Sequence, residues 1–112
     1  MRNLRDNERN LIECLLNKSE LANINLENLQ VEEMTDGGMG SLYFVNSEKN
    51  RNERRLGKSI CERQFSDSDN IPILVSVNVD EAGVLFELDM WKVDFSRVIK
   101  FPECINADTK NG

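Results

Sequence analysis

The chain contains no histidine. That absence excludes Ser-His-Asp and Cys-His nucleophilic sites and histidine-ligated metals, and it removes the commonest general acid–base. Carboxylates, lysines and a tyrosine remain, so catalysis is made harder without being excluded. Cysteine is also scarce. Cys14, Cys61 and Cys104 are odd in number and widely spaced, which fits neither a disulfide framework nor a CxxC zinc pattern. Cys14 lies in a helical apolar pattern and Cys61 in a strand pattern, so the expectation is buried, unpaired thiols acting as small hydrophobes. A nucleophilic cysteine would need a base to lower its pKa, and the commonest base is the missing one.

Long apolar runs are missing as well. No stretch approaches the ~18 residues needed to span a bilayer, and MRNLRDNERN at the N-terminus lacks the apolar run of a signal peptide. The expectation is a cytoplasmic monomer or small oligomer with no membrane contact. There is no internal repeat, low-complexity segment or linker, so residues 1–112 read as one domain, with 106–112 (NADTKNG) a frayed tail.

What is present is globular in character: 39% hydrophobic and 30% charged residues, enough for a single core. The net charge is −6, from 20 acidic and 14 basic residues. An acidic domain is repelled by nucleic acid and anionic lipid and steered toward basic partners. Nothing in the composition calls for a cofactor or a metal.

Residues 6–17, DNERNLIECLLN, carry Leu11, Ile12, Leu15 and Leu16 on one helical stripe, with Asp6 or Asn7 available as cap and Leu4 placed to pack back on the first turns. Strands are expected over 29–34, 41–45, 58–65, 71–79 and 84–95, separated by turn-rich or polar segments at 36–40, 46–55, 66–70 and 80–83. Residues 96–103 are expected to form a turn or short helix before Pro102. The most informative stretch is residues 84–95, VLFELDMWKVDF. Val84, Phe86, Leu88 and Met90 share one parity; Leu85, Glu87, Asp89 and Trp91 share the other. One face is therefore greasy and the other acidic with an aromatic. A turn at 80–83 that pairs Val79 with Val84 would set Val77 against Phe86, Val75 against Leu88 and Ile73 against Met90. The fold expected is α+β, an N-terminal helix packed on a four- or five-stranded antiparallel meander sheet.

Several constellations invite chemistry. Asp36-Gly37-Gly38-Met39-Gly40-Ser41 resembles a phosphate loop, but no Lys-Ser/Thr and no helix follow, so a hairpin using positive φ is favoured. Asp67-Ser68-Asp69-Asn70 opens like a calcium loop, yet the required Gly and Glu positions hold Pro72 and Asn78. The basic run at 49–55, continued by Lys58, lacks interleaved aromatics and is diluted by Glu48 and Glu53, so it reads as a solvated loop. Glu87, Asp89 and Asp94 lie on one segment, whereas a glycosidase places its acids across a cleft. Trp91 stands on the acidic side of its strand, either in a second small core beneath residues 95–101 or as a protein-binding hot spot.

The segments DGGMGSLYF (36–44) and FELDMWKVDFS (86–96), with the opening LRDNERNLIECLL (4–16), resemble a family of small bacterial proteins known only as a domain of unknown function. The resemblance implies no catalytic residues; the Asp69-Asn70 turn stands where relatives often have Asp-Gly. In general character the chain is also similar to immunity proteins of toxin–immunity pairs, an analogy of class rather than of motif. The first functional expectation is therefore an immunity protein, not an enzyme, that binds a basic toxin domain. It would use an acidic–aromatic surface of Glu87, Asp89 and Trp91, extended by the turn acids Asp67, Asp69, Asp80 and Glu81. The alternatives are a regulatory or scaffold module binding another protein, or a carboxylate-dependent enzyme with a pocket near Asp36, Tyr43 or Glu87.

Overall fold

The computed structural model describes residues 1–35 and 37–104. Helix α1, Asp6–Leu16, forms on the stripe of Leu11, Ile12, Leu15 and Leu16, all four of which are buried. Its start differs from expectation. Arg5 is the cap residue, and the Glu8 side chain turns back to accept the Arg5 backbone N–H at 2.8 Å. Arg2 donates to both oxygens of that carboxylate, at 2.8 and 2.9 Å, and so ties the chain entry to the helix. Leu4 joins the core as expected. Ser19 closes the helix, its N–H and Oγ both donating to the Leu16 carbonyl.

Six strands form one antiparallel sheet: β1 (Arg2–Asn3), β2 (Gln30–Glu33), β3 (Leu42–Phe44), β4 (Leu56–Ser66), β5 (Pro72–Asp80) and β6 (Leu85–Lys92), in the order β1-β2-β3-β6-β5-β4. The fold is α+β as expected, with the two-residue β1 raising the strand count. The order leaves the meander at one point, where β3 pairs with β6 and not with β4. Two antiparallel halves are thus joined through their last strands. The polar β4, largely exposed, takes the sheet edge, while β6 runs between β3 and β5 with Leu85, Leu88 and Met90 buried.

The β5–β6 register also differs from expectation. Val79 pairs with Leu85, an extra residue then bulges β6, and Val77 meets Leu88, Val75 meets Met90 and Ile73 meets Lys92. Val84 is exposed and Phe86 leaves the core face. The Asp80 turn accounts for the first step of the shift, and the extra residue Phe86 for the second. Asp80 Oδ1 accepts the N–H groups of Ala82 and Val84 at 2.9 and 3.0 Å, a side-chain-closed turn that takes up Val84 before pairing begins.

The core lies between α1 and one sheet face, built from Ile73, Val75, Val77, Leu88 and Met90 with Val31, Leu42 and Phe44. After β6 the chain turns at Asp94 and crosses back without forming a helix. Val98, Phe101 and Cys104 of this strap pack against the main core, so no second core forms around Trp91. Cys104 is disulfide-bonded to Cys14, and Cys61 is the free cysteine among the described residues. That corrects the expectation of three unpaired thiols. The partners are 90 residues apart in sequence, and only the strap lying over α1 brings their sulfurs together. The tail expected at 106–112 lies outside the described residues. Among the described residues no helix is long and apolar enough to cross a membrane.

Candidate binding face

The sheet face turned away from α1 collects the second parity of each strand. Pairing sets three rows across it: Glu32–Tyr43–Glu87–Asn78–Ser59, then Asp89–Ser76–Glu62, then Trp91–Leu74–Gln64. Four carboxylates thus share this face. The segment 46–55 covers the Tyr43 end of the first row, where Arg51 lies over the Tyr43 ring with its Cζ 4.9 Å from the centroid. Glu87 is half-buried and accepts a hydrogen bond from Asn78 Nδ2 at 2.9 Å, whereas Asp89 is exposed.

Trp91 is 39% exposed, and Phe95 beside it is 70% exposed, their ring centroids 5.8 Å apart. Phe95 holds φ at +65°, a conformation that costs an L-residue roughly 1–2 kcal/mol. The turn that imposes it is closed by Phe95 N–H donating to the Lys92 carbonyl and by Asp94 Oδ1 accepting from Ser96 N–H and Oγ. Those Ser96 bonds hold the Asp94 carboxyl below its usual range, against a smaller opposing effect of burial. The result is a large apolar side chain turned to solvent next to the sheet's tryptophan. A cleft of about 690 Å³ borders Trp91, lined also by Glu33, Met34, Met39, Arg51 and Asp89 among others.

The sequence-predicted acids therefore divide. Glu87, Asp89 and Trp91 come together on the outer face, and Glu81 is exposed on the β5–β6 turn. Asp67 and Asp80 do not reach solvent. Asp67 is fully buried: Oδ2 accepts from Lys92 Nζ at 2.9 Å and Ile99 N–H at 2.7 Å, and Oδ1 from Ser68 and Lys100 N–H at 2.7 and 2.9 Å. Burial alone would push its pKa up; these hydrogen bonds outweigh it and hold the carboxyl well below the ordinary range. Asp69 is partly exposed and turned inward to the same ammonium, 2.7 Å away. The loop that resembled a calcium site thus encloses a cation of its own chain. Burial disfavours the charged lysine, but the two carboxylates prevail and raise the Lys92 pKa. Asn70 takes φ +68°, consistent with its reading as a replacement for glycine.

Asp80 makes the corresponding pair at the other end of β5, with Arg54 Nε at 2.8 Å. Arg54 is buried. Its Nη1 donates to Phe44 O at 2.7 Å and Tyr43 Oη at 3.2 Å, its Nη2 donates to Leu85 O, and its Cζ lies 5.0 Å from the Phe86 ring centroid. Burial would raise the Asp80 pKa, and the Val84 and Ala82 N–H groups with Arg54 lower it below its usual value. The reading of 46–55 as a wholly solvated loop is corrected at this residue. A polar segment gives no period from which Arg54's burial could be read. Lys92 did carry a signal, since it continues the even-numbered, core-facing parity of Leu88 and Met90.

Gly37, Gly38 and Gly40 adopt positive φ between β2 and β3, as a hairpin reading requires, and a Cβ at Gly38 would come within 3.0 Å of Arg97 Nε. The expectation for Asp36 falls outside the described residues. Tyr43 is buried beneath the two arginines. Among the described residues no three His, Cys, Asp or Glu side chains come together as metal ligands.

The family model described as Domain of unknown function (DUF6984) matches residues 1–102, and the chain belongs to that family. No curated protein and no solved structure matches it.

Proposed function

We propose that this domain, from a family described only as of unknown function, neutralises a cognate toxin domain of basic character by docking it on the open sheet face around Asp89 and Trp91. One observation carries the reading: Trp91 and Phe95 stand exposed and adjacent, with Asp89 and Glu62 in the adjoining row and Glu87 in the row beyond. Exposed aromatics of this kind serve as the buried anchor of a protein interface, and surrounding acids supply orientation and rapid association with a basic partner. The docking surface comprises Glu62, Glu87, Asp89, Trp91 and Phe95. Asp67 and Asp80 make no part of it, because each is paired inside the protein with Lys92 or Arg54; Asp69 is turned inward to Lys92, and Glu81 lies on the β5–β6 turn.

A regulatory or scaffold module would use the same face, so the partner's toxicity separates the two readings. Strand addition at the β4 edge is the weaker docking route, because register shifts near Gly57 and Ile60 interrupt the ladder an incoming strand would copy. The test is to express the product of each open reading frame flanking the gene, alone and together with this domain. A product that arrests growth alone, and is tolerated with the domain but not with its Glu62→Lys/Asp89→Lys variant, supports the proposal. Rescue unaffected by the double reversal, or no toxic neighbour, overturns it.

A further inference from the structure

Arg63 occupies an unusual position for a strand arginine. Its Nη1 lies 2.9 Å from Cys104 Sγ and 3.8 Å from Cys14 Sγ. A disulfide sulfur is a weak acceptor that gains little from a guanidinium. A thiolate gains a great deal, because the same contact becomes a charge-assisted hydrogen bond. The arginine therefore complements the reduced state of this pair more than the oxidised one.

The surroundings agree. Both cysteines are half-buried, so neither sulfur is sealed from a reductant, and a cleft of about 330 Å³ lined by Asn7, Asn10, Pro102 and Glu103 gives an alkylating reagent a route to the Cys104 thiolate. The strap does not depend on the disulfide as far as Lys100: Asp67 holds the N–H groups of Ile99 and Lys100, Lys92 Nζ holds the Arg97 carbonyl, and Val98 N–H donates to Gly38 O. Breaking the bond removes the covalent tie between α1 and the chain beyond Lys100, where Phe101 still packs on the core, and leaves the rest of the fold anchored.

We infer that Cys14–Cys104 is a reversible thiol–disulfide exchange site, with Cys104 the reactive sulfur, Arg63 its positioning residue and a small or protein dithiol its reductant. One thiolate of the dithiol attacks Cys14 Sγ, the S–S bond breaks, and Cys104 departs as a thiolate held by Arg63. The second thiol of the reductant then attacks its own sulfur in the mixed disulfide and releases Cys14. Two electrons and two protons pass from the dithiol, which becomes a disulfide, to the two cysteines. A stabilised leaving thiolate speeds the first step. Cys61, on the same strand as Arg63, provides the contrast: burial raises its pKa and disfavours its thiolate.

The test uses the full chain with dithiothreitol, followed by iodoacetamide labelling and mass spectrometry across pH. The expected result is reduction of the pair with the circular dichroism of the folded protein retained. Cys104 should then alkylate about tenfold faster than Cys61 at neutral pH. Arg63→Gln should raise the pH midpoint for Cys104 labelling, and Arg63→Lys should restore it in part. A pair that resists dithiol until the protein unfolds, or a Cys104 midpoint indifferent to Arg63→Gln, overturns the inference.

Discussion

Replacing Arg54 by methionine probes the interior most sharply, because this side chain serves four acceptors from three parts of the sheet. Arg54→Met fills similar volume but leaves Asp80 without its cation and strips donors from Phe44 O, Leu85 O and Tyr43 Oη. Individual hydrogen bonds to charged groups contribute about 1.5–3 kcal/mol, and simple addition over four would exceed what such networks deliver. Breaking a buried pair from one side costs about 3–5 kcal/mol, since a charge stays buried without compensation. For a domain of this size that corresponds to a fall in Tm of roughly 12–20 °C. Urea unfolding followed by Trp91 fluorescence measures the loss directly. Arg55→Met, at the exposed neighbour, should change stability by no more than about 0.5 kcal/mol. Arg54→Met/Asp80→Asn should lose less than the sum of its single variants, as coupled partners do. A loss below about 1 kcal/mol for Arg54→Met would refute the burial argument and return the residue to a solvated loop.

The acid limb of stability follows from Asp67 and Asp80. Both carboxyls are held below their ordinary values in the folded protein, so their contribution is complete above the unfolded value of about 4 and is lost as pH falls through that point toward the folded value. With no histidine to titrate, urea midpoints should be nearly level from about pH 5 to 8 and should fall below about pH 4, less steeply in Asp67→Asn. A decline beginning near pH 6 would contradict this assignment. Removing the disulfide with Cys14→Ser/Cys104→Ser opens a loop closed across 90 residues, for which chain entropy sets an upper limit of about 4–5 kcal/mol. Equal urea midpoints for the variant and the oxidised protein would show that the bond adds no stability. In Glu62→Lys/Asp89→Lys, association with a basic partner at low salt should slow by about tenfold or more while the melting curve stays close to the parent's. Unchanged association would remove the outer face from the binding proposal.

Much of the local structure was legible because it rests on periodicity. The stripe of Leu11, Ile12, Leu15 and Leu16 specified α1, and alternation specified β5 and most of β6, since burial on one side imposes those periods. The acidic–aromatic side of β6 was legible for the same reason, and Glu87, Asp89 and Trp91 do share a face. The exposure of Phe95 was not legible, because it depends on a turn that holds positive φ. Asp67 and Asp80 looked like surface acids because turn sequences are usually solvated. Whether a turn carboxylate meets water or a cation depends on what crosses over it.

By itself the sequence determined α1 and the strands β2 to β6, though not the short β1, the apolar side of α1 and β5, and that no histidine chemistry is available. Only the tertiary structure decided that β3 pairs with β6, that β6 slips and bulges behind the Asp80 turn, that Lys92 and Arg54 are interior cations, and that Cys14 meets Cys104. The physical reason is range. Periodicity and turn chemistry act over a few residues, whereas a buried ion pair or a disulfide needs two groups far apart in the chain to be brought together by the packing of everything between them.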